Sequence, residues 1–175
     1  MSTLFVNNLN TASGSTITVP TGKQVIVTDE GGLKVPGMSI QVVQGVYSNA
    51  NSTTSTSLVA TSIAATITPK FSTSKVLISL AMNGIYHNTE TDYAVFHIYR
   101  NGSNNHSVST NVGQNGESAS QSVAHYYLDS PSTTSATTYT VYHRSGNGQA
   151  VGHNNYGIGG DGSTRSTIIL TEIAQ

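Results

Sequence analysis

Eight carboxylates and six histidines are the residues of this 175-residue chain with most to offer chemically. The acids are Asp29, Glu30, Glu90, Asp92, Glu117, Asp129, Asp161 and Glu172. Two carboxylates roughly 5–10 Å apart would suffice to cleave a glycosidic bond. Glu90 and Asp92 could share a strand face, but Asn88-Thr89 reads as a solvated turn, so surface charges protecting an edge are the simpler reading. The histidines are His87, His97, His106, His125, His143 and His153. None forms a His-x-His or His-x-x-x-His pair with ready zinc spacing. His97 shares a strand face with Tyr93, Val95 and Tyr99, opposite Ala94, Phe96 and Ile98. It is therefore expected on an outer or intersubunit face. Three copies around a threefold axis could share an ion there, although an ordinary hydrogen-bonded histidine needs less. No Gly-x-Ser-x-Gly elbow supports a hydrolase triad. Gly157–Gly162 lacks the helix and the Gly-Lys ending of a phosphate loop, and Asp161-Gly162-Ser163 is too short for a calcium loop. The sequence thus predicts no enzyme, no catalytic residue, no metal site and no cofactor.

Binding has better material. Tyr86, Tyr93, Tyr99, Tyr126, Tyr127, Tyr142 and Tyr156 offer faces on which sugars stack. Asn104, Asn105, Asn111, Asn154 and Asn155 offer amides on two stretches, 101–120, which reads as a long loop or ragged hairpin, and 146–164, which reads as a long loop. Asn104, Asn105, Asn111, Asn154, Asn155 and Tyr156 are the candidate glycan-facing residues.

The elements that would position them are strands. Ser and Thr supply 48 residues, and charged residues only 9%, against about 25% in ordinary domains. Val, Ile and Tyr sit in short alternating runs suited to a half-buried pleated surface. The fold expected is all-β: a short N-terminal arm of strands over 1–37, then an antiparallel β-sandwich over 38–175, with a jelly roll favoured and a barrel as the alternative. The arm reads as three short strands, 15–19, 24–28 and 33–35. These are too short to bury a core of their own. Ile17, Val19, Val25, Val27, Leu33 and Val35 are therefore expected to be assembly contacts. About eight strands are expected in the sandwich. Lys75–Met82, nearly all apolar, reads as a central strand buried on both faces, and Gly45 as a bulge. Net charge is −1 with seven scattered basic residues, so no nucleic-acid partner is expected. No apolar run is long enough for membrane insertion, the N-terminus lacks a signal-peptide pattern, and there is no cysteine.

Several stretches resemble structural proteins of bacteriophages, of the tail-fibre-like or capsid-decorating type in marine and freshwater phages. They are Ser15–Lys23 leading into Val35-Pro36-Gly37, Ile40–Tyr47, Leu128–Pro131 followed by Ser135–Tyr142, and the ending Leu170–Gln175. Together they span most of the chain, in order. The resemblance implies a homotrimeric virion component, made in the host bacterial cytoplasm and partnered with capsid or tail proteins. It would dock by its N-terminal piece and display the sandwich, with host-surface glycan adhesion as an added role. The fibres it resembles are often longer and carry a stalk, which makes a capsid cement protein the alternative. A glycan-degrading spike is the more distant one.

Overall fold

A computed structural model describes residues 14, 16–29, 32–87, 89, 92–112, 121–154 and 164–175, with the backbone alone for 109–112. Among these residues there are ten strands and no helix: β1 Ser39–Tyr47, β2 Asn51–Thr53, β3 Val59–Ile67, β4 Lys75–His87, β5 Ala94–Arg100, β6 Ser103–Val112, β7 Gln121–Asp129, β8 Thr137–Ser145, β9 Val151–His153 and β10 Ser166–Ile173. They form two antiparallel sheets. One runs β1-β10-β4-β9-β2 with β7 also paired to β4, and the other runs β3-β8-β5-β6. Successive long strands alternate between the sheets, except for the β5–β6 hairpin. That hairpin turns on Asn101 and Gly102, both at positive φ, as an Asn-Gly turn favours.

The sheets face each other because their strands alternate. β8 buries Thr137, Tyr139, Val141, His143 and Ser145 while the residues between stay half-exposed. β4 buries Val76, Ile78, Leu80 and Met82 on one side. With Ile63, Ile67, Phe96, Ile98, Ile168 and Leu170 these make one continuous core. Packing is close where β1 crosses β3. A Cβ on Gly45 would stand 2.9 Å from the Ala64 carbonyl and 3.0 Å from the Tyr47 ring. Gly45 is therefore a close approach and not a bulge; the register shift in β1 lies between Ser39 and Gln41.

Four other expectations change. The arm forms no strand among its described residues; 16–28 runs without ladder partners apart from a turn at Thr21-Gly22. Lys75–Met82 is central but buried on one face only, since Leu77 and Ser79 are half-exposed and Ala81 is exposed. The runs Leu58–Ala60 and Ala64–Thr68, which the sequence pattern separates, are joined in the one strand β3, Val59–Ile67, whose register shifts between Ala60 and Ala64. Finally, of the two readings for the stretch after Asn101, the loop gives way to the ragged hairpin: β6 pairs β5 with three register shifts.

Buried polar groups tie the layers. Asp129 on β7 accepts from Arg100 Nη1 of β5 at 2.8 Å and from Tyr139 Oη of β8 at 2.7 Å. This bond crosses from one sheet to the other. Glu172, fully buried, accepts from Gln41 Nε2 at 2.6 Å and from the backbone amides of Lys70 and Phe71. Replacing Asp129 with Ala strands the buried Tyr139 hydroxyl and leaves Arg100 with only its bond to the Ser130 carbonyl and solvent, and should cost about 1–3 kcal/mol. Tyr139→Phe removes one partner and leaves Asp129 on Arg100, so about 1 kcal/mol is expected. Urea unfolding with an unchanged slope checks both.

Candidate functional site: the outer sheet faces and the arm

Asp92, expected at a solvated edge, is fully buried. Its Oδ2 accepts from Ser145 Oγ at 2.7 Å and Gln149 N at 3.0 Å, and its Oδ1 from Tyr93 N at 2.7 Å and Asn147 N at 2.8 Å. Burial pushes its pKa up. The hydrogen bonds, led by Ser145 and followed by the backbone amides of Asn147, Tyr93 and Gln149, more than offset this and hold the carboxyl below the ordinary value. Asp92 is an ionised latch for the 145–149 turn, with its lone pairs occupied. Glu90 lies outside the described residues.

Two histidines form a buried pair that the spacing search missed. His143 and His153 lie edge to face with ring centroids 5.9 Å apart, and His143 stacks on Phe96. Nδ1 of His143 has no hydrogen-bond partner among the described residues. Burial first, and then His153, hold the His143 pKa down to about 4. Burial also holds His153 to about 4, with the neighbouring Asn154 side chain opposing slightly. Among the described residues no cluster of three metal-ligating side chains exists. At the edge where the sheets meet, His106 of β6 stacks on His125 and Tyr127 of β7, with centroids 4.9 and 4.0 Å apart.

The glycan-facing candidates separate. Asn104 is exposed on β6, and its Oδ1 lies 3.2 Å from His97 Nδ1. His97 is half-buried while Ala94, Phe96 and Ile98 are in the core, which puts His97 on the outer face as expected. Beside it the Tyr99 and Tyr142 rings stack at 3.8 Å. These residues make an aromatic, amide-bearing patch on the outer face of the four-stranded sheet. Asn105 is half-buried with an unpartnered Nδ2. Asn154 is a correction. It is buried, donates to the carbonyls of Tyr47 and Asn49, and accepts from Ser166 Oγ. Its amide holds the fold and faces no ligand. Asn111 lies in β6 with its backbone alone described, and Asn155 and Tyr156 lie outside the described residues.

The arm candidates are solvent-facing in the single chain. Ile17, Val19, Val25, Val27, Leu33 and Val35 are all exposed, as is Ile26 at 77%. The arm is tied to the sandwich at its root. Gly37 N donates to Ala174 O, Ala174 N donates to Met38 O, and Lys34 Nζ donates to Thr73 Oγ1. Within 16–33 the hydrogen bonds among described residues are two turn bonds.

The outer face of the six-stranded sheet is the second open surface. Its register aligns three rows across β1, β10, β4 and β7. They are Val42, Thr171, Leu77 and Leu128; Gln44, Ile169, Ser79 and Tyr126; and Val46, Thr167, Ala81 and Ala124. No charge interrupts these rows. Val42, Val46, Tyr126 and Leu128 are each close to half exposed or more. A depression of about 210 Å³, floored by Ser79, Ala81, Ala124, Thr167 and Ile169, opens beside Tyr126. The alternation in Ser166–Ile173 and Gln121–Leu128 marks these residues as one parity of their strands. The pairing order needed to assemble the rows is not in the sequence. The chain matches no protein-family model and no curated protein sequence.

The histidine pair sets an acid limit. A histidine whose folded pKa is depressed contributes stability that is intact above its unfolded pKa near 6.5 and is lost as pH falls towards 4. Each ring costs up to about 3 kcal/mol over that window. Thermal midpoints should therefore fall between pH 6.5 and 4, and a His143→Leu, His153→Leu variant should lose most of that slope. An unchanged slope would assign the acid sensitivity elsewhere.

Proposed function

We propose that this chain is a non-enzymatic structural protein of a bacteriophage particle. It assembles as a homotrimer, docks on the particle through residues 1–37, and displays its sandwich at the virion surface. One observation carries this reading: seven large apolar side chains of the arm stand in solvent beside a body whose six-stranded sheet presents a neutral, unpaired face. A chain that leaves this much apolar surface open completes its burial on assembly. The phage-like phrases along the sequence supply the setting. The alternation of strands between sheets, with one hairpin at β5–β6, supports the jelly-roll reading. The Tyr99, Tyr142, His97 and Asn104 patch supports an added role in gripping host-surface glycans.

A capsid cement is the second reading, favoured by the lack of charge across the sheet face, which suits packing against a shell. Particles separate the two. Particles lacking the protein should withstand heat and osmotic shock but adsorb poorly; robust adsorption with fragile heads would make it a cement. Absence of the chain from purified particles would sink both. For adhesion, Tyr142→Ala should leave incorporation unchanged and weaken glycan binding about fivefold, the value of about 1 kcal/mol of stacking.

A further inference from the structure

We propose that the outer face of the six-stranded sheet is covered by the arm, residues 16–28, of another copy of this chain. This rests on the assembly part of the function above and specifies which surfaces meet.

The two surfaces share a chemistry. The face presents Val, Leu, Ile, Ala and Tyr interleaved with Thr, Ser and Gln, without a charge across its three rows. The arm segment Thr16–Thr28 repeats that mixture and carries one charge, Lys23. Val25, Ile26 and Val27 are consecutive and all exposed. A strand apolar on both sides needs cover on both sides. A neutral strand on a neutral face brings no like-charge repulsion when the same chain supplies both. Each copy carries one arm and one face, so exchange satisfies both surfaces in every copy.

The arm stands clear of its own face. Val25 and Ile26, and on the face Val42 and Tyr126, are each more than 60% exposed. The root is fixed: the Val35–Met38 turn closes on itself, and Gly37 and Met38 hydrogen-bond Ala174. Beyond it, eighteen residues, 16–33, reach up to about 60 Å when extended. That is several times the roughly 14 Å from β1 to β7 across three strand spacings. The arm is long enough to cross to a neighbour. On arrival it meets the depression beside Tyr126, where Ser79, Ala81, Ala124 and Thr167 leave room for a β-branched side chain.

The absence of cysteine makes the test clean. Full-length Val25→Cys and Ser79→Cys chains, carrying tags of different size, are refolded together and treated with a short bismaleimide. The expected product is a mixed dimer of one arm variant and one face variant. A Val25→Cys, Ser79→Cys double variant that links only within its own chain would overturn the proposal in favour of self-covering. Linkage of Ser79→Cys to itself would overturn it in favour of face-to-face packing. An oligomer yielding no arm-to-face product would overturn it as well. A second variant guards against a chance geometry. Ser79→Arg places a charge on the face while the inner core is untouched. It should free the arm to limited proteolysis in a chain that keeps its β-sheet circular dichroism, and equal arm cleavage in Ser79→Arg and the parent would contradict the exchange. These readouts use the purified chain, so they can fail while the virion assignment stands, or succeed while it falls.

Discussion

Two stacked sheets have four faces, and only two can be buried against each other. What this chain does with the remaining two decides what it can be. The inner faces are closed with Ile, Leu, Val, Phe and Tyr. The outer face of the four-stranded sheet carries Tyr99, Tyr142, His97 and Asn104, which water solvates readily. The outer face of the six-stranded sheet carries no charge across its three central rows, with Lys75 beyond them at one end. It presents Val42, Val46, Leu128 and Tyr126. An open face of that kind, beside an exposed segment of similar composition, is what the proposed assembly would cover.

The scarcity of charge then has two consequences. Inside, each buried acid is fully committed: Asp92 to a hydroxyl and three amides, Glu172 to an amide side chain and two backbone amides, Asp129 to Arg100 and Tyr139. Hydrogen bonds of this kind offset the cost of burying a carboxylate. Outside, neutrality lets identical surfaces approach. Ser, Thr, Gln and Asn give hydrogen bonding that varies little with salt, while the paired histidines set a limit only under acid.

Much of the fold was legible because alternation is a local signal. The alternation within Ser166–Ile173 is the alternation of burial seen in β10, and parity alone places Ala94, Phe96 and Ile98 inward. What failed depended on distant partners. β2 and β9 are three residues each, and they exist because they pair with each other and with the end of β4. Asn154 looked like a loop amide and is a buried bracket between two strands' ends. Asp92 looked like a surface charge because its four donors come mostly from residues more than fifty positions away. Lys75–Met82 looked buried on both sides. Its apolar outer residue, Leu77, belongs instead to the face left open. The same parity rule would have found His143 in the core, since it follows Tyr139 and Val141 at intervals of two.

Amide hydrogen exchange of the full-length chain at several concentrations tests the central claim most directly. In a lone chain, residues 16–28 make no ladder hydrogen bonds and would exchange freely. If the arm is buried between copies, their amides are protected, and the protection increases with protein concentration. Arm amides that exchange at unprotected rates at every concentration, in a chain that sediments as a monomer, would contradict the account.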